Sequence, residues 1–423
     1  MKTRIIKQTA LLLSIILCLN LLLMLSPSQA HAAGTAPSLD IQAKSALLMD
    51  ANTGQILYEQ NADEVLPTAS MTKMMTEYLV MEAIGSGKIK WDDMVTISEN
   101  AARVGGSGGL LAKGEQYTVK DLFYEMSIDS GNDGAVSLAE YVDGTEDNFV
   151  QSMNEKAKQF GLTTAHFADP TGLSDKTIMS ARDTAALAYH LLKDDPDVLQ
   201  FTSITQKKFR STDKDPMVNW NWMLEGNKDV TNFKKYAYPG LDGLKTGHTD
   251  QAGYCFTGTA NHNGFRLISV VMGTKSEPAR FIETKKLLDY GFNNFEPQTV
   301  LAAKTVIPDV KTVKILKGIK TTVPVVIDDG VEFVVKKGEK ANIQVSSQTY
   351  PASQLISPIK QGQVVGTVNV TYDTGSGKIT KTVHLITTEK VDKASWFTLF
   401  FRSIGSFFHD IFSSITKGMK KIF

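Results

Sequence analysis

The chain of 423 residues is poor in cysteine, with two in all, Cys18 and Cys255. Cys18 lies in an apolar N-terminal stretch that reads as a removable leader. The mature chain would then keep one thiol and no internal disulfide, so its stability must come from a buried core. Charge bias is absent as well. Lys plus Arg number 45 and Asp plus Glu number 45, which excludes a globally basic surface for nucleic acid. The seven histidines are scattered, and there is no His-Glu-x-x-His or paired-cysteine signature. No metal site is therefore expected, and no cofactor. In the C-terminal segment, Arg402 and Asp410 interrupt any apolar run long enough to span a bilayer.

What is present divides the chain into four parts. Lys2, Arg4 and Lys7 precede an apolar stretch from Ala10 to Leu25, and Ala30-His31-Ala32 offers a small-x-small cleavage site. Residues 1–32 are expected to be a signal peptide, so the protein is exported. Residues 33–297 are expected to form an α/β catalytic domain. Within it, a hairpin over 44–60 and late strands near 254–259 and 266–272 suggest one sheet built from distant parts of the chain. Helices are expected from Ser70 to Ile84, on either side of Ser130-Gly131-Asn132-Asp133, over most of 150–195, and from about Glu277 to Tyr290. Residues 298–390 are rich in Val, Thr, Ile and Lys with recurring turns, and read as a small β domain. Residues 391–423 place Trp396, Phe397, Phe400, Phe401 and Ile404 at helical spacing, with Lys417, Lys420 and Lys421 near the tip. That pattern fits an amphipathic helix lying in a membrane surface.

Three short motifs carry the chemistry: Ser70-Met71-Thr72-Lys73, Ser130-Gly131-Asn132 and Lys245-Thr246-Gly247. Alone, the first two are weak. Ser-x-x-Lys also occurs at Ser211, Ser357 and Ser414, and Ser-x-Asn at Ser98 and Ser152. Context separates them. Ser70 is expected in the first turn of a helix, where free N–H groups and the helix dipole favour developing negative charge. Lys73 would sit one turn on, on the same face. With its pKa depressed by burial and a nearby cation, its amine can take the Ser70 proton. Ser130 falls in a break between helices, where it could pass a proton to a leaving amine while Asn132 holds a substrate amide. Lys245 and Thr246 suit an anion hook, and Gly247 would let a substrate backbone approach. Gly105-Gly106-Ser107-Gly108-Gly109 matches a nucleophile elbow literally but lacks the strand and helix that an elbow requires.

The three motifs in this order resemble the penicillin-binding and serine β-lactamase superfamily. Longer stretches narrow the likeness to low-molecular-weight D-alanyl-D-alanine carboxypeptidases. They are Leu66-Pro-Thr-Ala-Ser-Met-Thr-Lys-Met-Met-Thr, Ser130-Gly-Asn-Asp, Asn154-Glu-Lys-Ala-Lys, Asp169-Pro-Thr-Gly-Leu and Asp242-Gly-Leu-Lys-Thr-Gly-His-Thr. The resemblance implies a catalytic domain with an antiparallel sheet flanked by helices and a helical subdomain, then a small all-β domain and a C-terminal amphipathic anchor. It implies Ser70 as nucleophile, Lys73 as base and Ser130 as proton relay. It assigns substrate binding to Asn132, Lys245, Thr246, Gly247 and His248, with an oxyanion hole from the backbone N–H groups of Ser70 and His248. The partners it implies are a peptidoglycan stem peptide ending in D-Ala-D-Ala, β-lactams as covalent inhibitors, and the outer face of the cytoplasmic membrane. Asp169 stands where members often have Asn. In class A β-lactamases a Glu-x-x-x-Asn element positions the deacylating water. None of Glu140, Glu146, Glu155 or Glu225 has Asn four residues on, so slow turnover of a penicilloyl ester is expected.

Overall fold

The computed structural model describes residues 39–109, 111–374 and 377–404. The expected leader, the tail beyond 404 and the Ser-x-x-Lys at Ser414 lie outside the described residues.

Two early strands, β1 (Ser45–Asp50) and β2 (Ile56–Gln60), join three later ones, β3 (Leu241–Thr249), β4 (Gly253–His262) and β5 (Phe265–Thr274). The order is β2-β1-β5-β4-β3, antiparallel throughout. β1 closes on β5, with Ser45 opposite Met272 and Asp50 opposite Leu267. All six residues of β1 are buried, because its alternate side chains serve two cores. Leu47 and Met49 face the helical body, while Ala46 and Leu48 face the other side.

The helical body comprises α1 (Lys73–Gly85), α2 (Val119–Ile128), α3 (Asn132–Asp143), α4 (Glu146–Gln159) and α5 (Ala181–Asp194). α6 (Glu277–Asn294) covers the opposite face through Phe281, Leu287 and Leu288. α1 is buried from Lys73 to Ala83 apart from Glu82. A helix without a polar stripe belongs at the centre of a core, and that places its first turn deep in the molecule. Three of the surrounding helices, α2, α4 and α5, start on side-chain caps. Thr118, Thr145 and Ser180 accept from the backbone N–H of Asp121, Asn148 and Asp183, each cap being worth about 1 kcal/mol.

α6 runs directly into the strand Phe295–Leu301, so the expected boundary at 297 falls inside a strand. That strand pairs with Val331–Lys336. A five-stranded sheet follows in the order Thr312–Lys314, Thr322–Ile327, Lys378–Thr387, Val364–Asp373, Ile343–Thr349. It encloses its own core of Val325, Ile327, Phe333, Val368 and Leu385. The buried amide of Gln55 donates to Val334 O at 2.8 Å and accepts from Val334 N at 3.1 Å. This ties the β1–β2 turn to the β domain. Residues 396–404 are helical, with Trp396, Phe397, Phe400 and Phe401 exposed. Arg402 donates to the carbonyls of Gly318 and Ile319, both at 2.6 Å. Among the described residues no helix is long and apolar enough to cross a membrane.

Candidate active site

Ser70 lies in a 3-10 turn, Ala69–Thr72, that feeds α1, so the expected helix start is a tighter turn. The residue before it, Ala69, has φ of 46°, and Ser130 has φ of 64°. Both values are left-handed and costly for residues with a Cβ. The two hydroxyls thus stand at kinks that the packing imposes.

Lys73 is fully buried, and its three neighbours define its state. Its Nζ lies 3.1 Å from Ser70 Oγ, 2.7 Å from Asn132 Oδ1 and 3.0 Å from Thr171 O. The Asn132 amide is oriented by its other end, where Nδ2 donates to Gly105 O at 2.7 Å. Asn132 Oδ1 and Thr171 O can only accept. A neutral amine has two N–H donors for those two acceptors, which leaves its lone pair facing the Ser70 hydroxyl. Burial, and next the charge of Lys245, hold the Lys73 pKa well below its ordinary value. Geometry and electrostatics therefore agree on an amine ready to take a proton.

The Thr171 carbonyl is presented by the turn that Asp169 organises. Asp169 Oδ1 accepts from the backbone N–H of Thr171 at 2.7 Å and of Gly172 at 2.6 Å, and Oδ2 from Thr177 Oγ1 at 3.0 Å. Burial works to raise the Asp169 pKa. Hydrogen bonds from Thr171, Thr177 and Gly172 outweigh it and hold the carboxyl below its ordinary value. An ionised Asp serves this turn by accepting only.

Lys245-Thr246-Gly247 lies within β3, an edge strand of the sheet. Lys245 is buried, and its Nζ donates to Ser130 Oγ at 2.8 Å. Burial lowers its pKa, with Glu77 opposing. Gly247 has a reason that sequence alone did not supply. A Cβ there would lie 2.7 Å from Thr68 O, so the strand can pack directly on the Ser70 turn only as glycine. His248 is exposed and stacks on Tyr254 at 4.0 Å between ring centroids.

The structure brings the predicted residues together. Ser70, Ser130, Thr246, Gly247 and His248 line one cavity of about 300 Å³, with Ser107, Trp220, Tyr254, Glu277 and Arg280. Lys73, Asn132 and Lys245 stand behind its wall, joined to Ser70 and Ser130 by the bonds above. Sequence reasoning missed Thr171, which acts through a backbone carbonyl, and Arg280. The Arg280 guanidinium is buried on α6, bonded to Glu277 Oε1 at 2.8 Å and Gly247 O at 3.4 Å. It puts a second cation beside the Lys-Thr-Gly strand, and burial pulls its pKa down to about 10. The glycine-rich stretch 105–109 is a loop after the short helix Glu99–Arg103. That removes the elbow reading, because no strand precedes it. Of the other Ser-x-x-Lys copies, Ser211 is exposed in a polar loop and Ser357 is buried in the β domain.

Comparison with known proteins matches both parts of the chain. Residues 30–276 match the D-alanyl-D-alanine carboxypeptidase family, and residues 295–393 match the C-terminal domain of penicillin-binding protein 5. The D-alanyl-D-alanine carboxypeptidase DacF of Bacillus subtilis is 36% identical over 398 residues, covering 93% of this chain and 98% of that protein. Penicillin-binding protein 5 from Haemophilus influenzae superposes with a TM-score of 0.69 at 34% identity, over 85% of this chain and 100% of that one. Penicillin-binding protein D2 from Listeria monocytogenes, in its ampicillin-bound form, has a TM-score of 0.53 at 34% identity, over 61% and 100%. With the fold, the site geometry and these likenesses in accord, the chain belongs to the D-alanyl-D-alanine carboxypeptidase family of serine peptidases.

Proposed function

We propose that Ser70 attacks the peptide bond between the two terminal D-alanines of a peptidoglycan stem pentapeptide. Lys73 takes the Ser70 proton, and the oxyanion is received by the backbone N–H groups of Ser70 and His248. Ser130 delivers a proton to the departing D-alanine nitrogen. Lys245 and Thr246 hold the terminal carboxylate, with Arg280 adding positive charge along the same strand. Asn132 orients the acyl part of the substrate, and water releases the shortened peptide from Ser70. The observation that carries this reading is the set of partners around Lys73, two obligate acceptors and one hydroxyl.

In the same reading β-lactams acylate Ser70 and leave slowly. Residues 1–32 direct export, 33–297 perform catalysis, 298–390 form the β domain, and 391–423 anchor the enzyme at the outer face of the cytoplasmic membrane. The exposed aromatics Trp396, Phe397, Phe400 and Phe401 support the anchor. The test is free D-alanine measured from a pentapeptide ending in D-Ala-D-Ala, together with labelling by a fluorescent penicillin. Both are expected with the wild-type protein and neither with Ser70→Ala. A fully active Ser70→Ala enzyme, or rapid hydrolysis of nitrocefin, would overturn the reading.

A further inference from the structure

Two buried carboxyl groups lie directly behind the Ser130–Asn132 turn, and the reaction above uses neither. Glu125 is in the last turn of α2 and Asp133 in the first turn of α3. Glu125 is wholly buried, Asp133 nearly so. Each accepts a backbone N–H from the segment that contains the glycine-rich loop. Glu125 Oε1 takes that of Gly109 at 2.8 Å, and Asp133 Oδ2 that of Leu111 at 2.9 Å. The loop is also held by the turn itself. Asn132 donates its N–H to Ser107 O and its Nδ2 to Gly105 O, both at 2.7 Å. Ser107 in turn lines the cavity with Ser70 and Ser130.

The packing between these pieces leaves no slack. A Cβ on Gly131 would fall inside the Glu125 carboxyl, and one on Gly108 would overlap Asp133 Oδ1. The Glu125 carboxyl thus presses on the backbone of the residue between Ser130 and Asn132. Its Oε2 has no N–H or hydroxyl partner. The remaining neighbour is the other carboxyl, and two buried carboxyls hold together by sharing one proton. Burial, and next Asp133, push the Glu125 pKa well above its ordinary value, which keeps that proton in place.

We propose that Glu125 and Asp133 form an acid-pair brace that locks residues 105–109 and Leu111 to the 130–132 turn and so positions the Ser130 hydroxyl and the Asn132 amide for acylation. Neither group touches substrate, so both are positioning residues. The inference rests on the roles given above to Ser130 and Asn132. An isolated carboxyl at such depth would be a net cost to folding. Here each carboxyl answers a loop N–H and its partner, so removing one strands the other together with a backbone donor.

The test is the second-order rate constant of acylation by a fluorescent penicillin, read beside hydrogen exchange of the amides of 105–109 and Leu111. Glu125→Gln keeps the length, accepts from Gly109 and donates to Asp133. Its acylation is expected within about threefold of wild type. Glu125→Asp keeps the acid but withdraws it by one methylene. Acylation is expected to fall by about 10- to 100-fold, with faster exchange confined to those amides. Equal acylation by wild type and Glu125→Asp would overturn the brace. So would equal losses in the Asp and Gln variants, since rescue by the isostere separates bonding from bulk. Should Glu125→Asp fail to fold, Asp133→Ala attacks the other end, with the same loss expected and retained acylation refuting. Absence of labelling in the wild-type protein would instead sink the serine reading itself, so the two failures are distinct.

Discussion

The catalytic body and the β domain bury different things. The first hides Lys73, Glu77, Glu125, Asp133, Lys245 and Arg280, all under 8% exposed. Among the described residues of the β domain, the buried polar groups are Ser357 and Thr387, with no charge. Both regions have well-filled apolar cores, so folding alone does not need the charges. Ionisable groups out of water cost several kcal/mol each unless paired. They persist where their altered pKa values and fixed donors serve a reaction. The charged interior thus marks the half of the molecule that does chemistry, and the neutral interior marks a half whose value is shape.

That contrast can be broken most forcefully at Lys73. Lys73→Met fills the same space without the amine. D-alanine release and penicillin acylation are expected to drop by at least about 10³-fold. The melting temperature is expected to change little, because losing a desolvated amine offsets the two buried acceptors, Asn132 Oδ1 and Thr171 O, that it leaves without their donor. A large fall in melting temperature would refute the view that the amine is there for chemistry alone.

The converse substitution belongs in the neutral core. Phe333→Ala is expected to cost the β domain about 3–5 kcal/mol, visible by calorimetry or denaturant unfolding. At 25 °C kcat/KM for a soluble pentapeptide should stay within about twofold. Matching losses of activity and stability would show that the two interiors are not separable.

Lys245→Gln gives the finest cut. Lys73 must be neutral to accept a proton, so acylation rises with pH through the Lys73 pKa. The Lys245 charge lowers that pKa, and removing it must raise it. The acid limb of the acylation rate should therefore move to higher pH. A limb that stays put or moves down would exclude the coupling of the two lysines.

Much of this was legible beforehand, for identifiable reasons. Apolar runs over 44–60 and 254–272 announce strands, and β1 closing on β5 joins the two stretches into one sheet. Ser70 stood out from Ser211 and Ser357 because only it precedes a long helix with no Gly or Pro inside. The remainder depends on tertiary placement. Thr171 contributes a carbonyl, which every residue type carries, so no letter marks it. Arg280 reaches the site because α6 packs on the sheet next to β4, a fact of topology. The link from Lys245 to Ser130 spans 115 positions, and Glu125 reads as an ordinary helix residue until the turn of Gly131 is laid over it.

The bond between Lys245 and Ser130 has one more effect. A charged ammonium can only donate, so the Ser130 oxygen meets it with a lone pair and must aim its own hydrogen elsewhere. An unattached hydroxyl spins among three wells. Accepting from Lys245 closes one of those wells before any substrate arrives and turns the hydroxyl hydrogen away from the ammonium. That part of the entropy of aligning the proton is settled once, when the chain folds, instead of at every turnover.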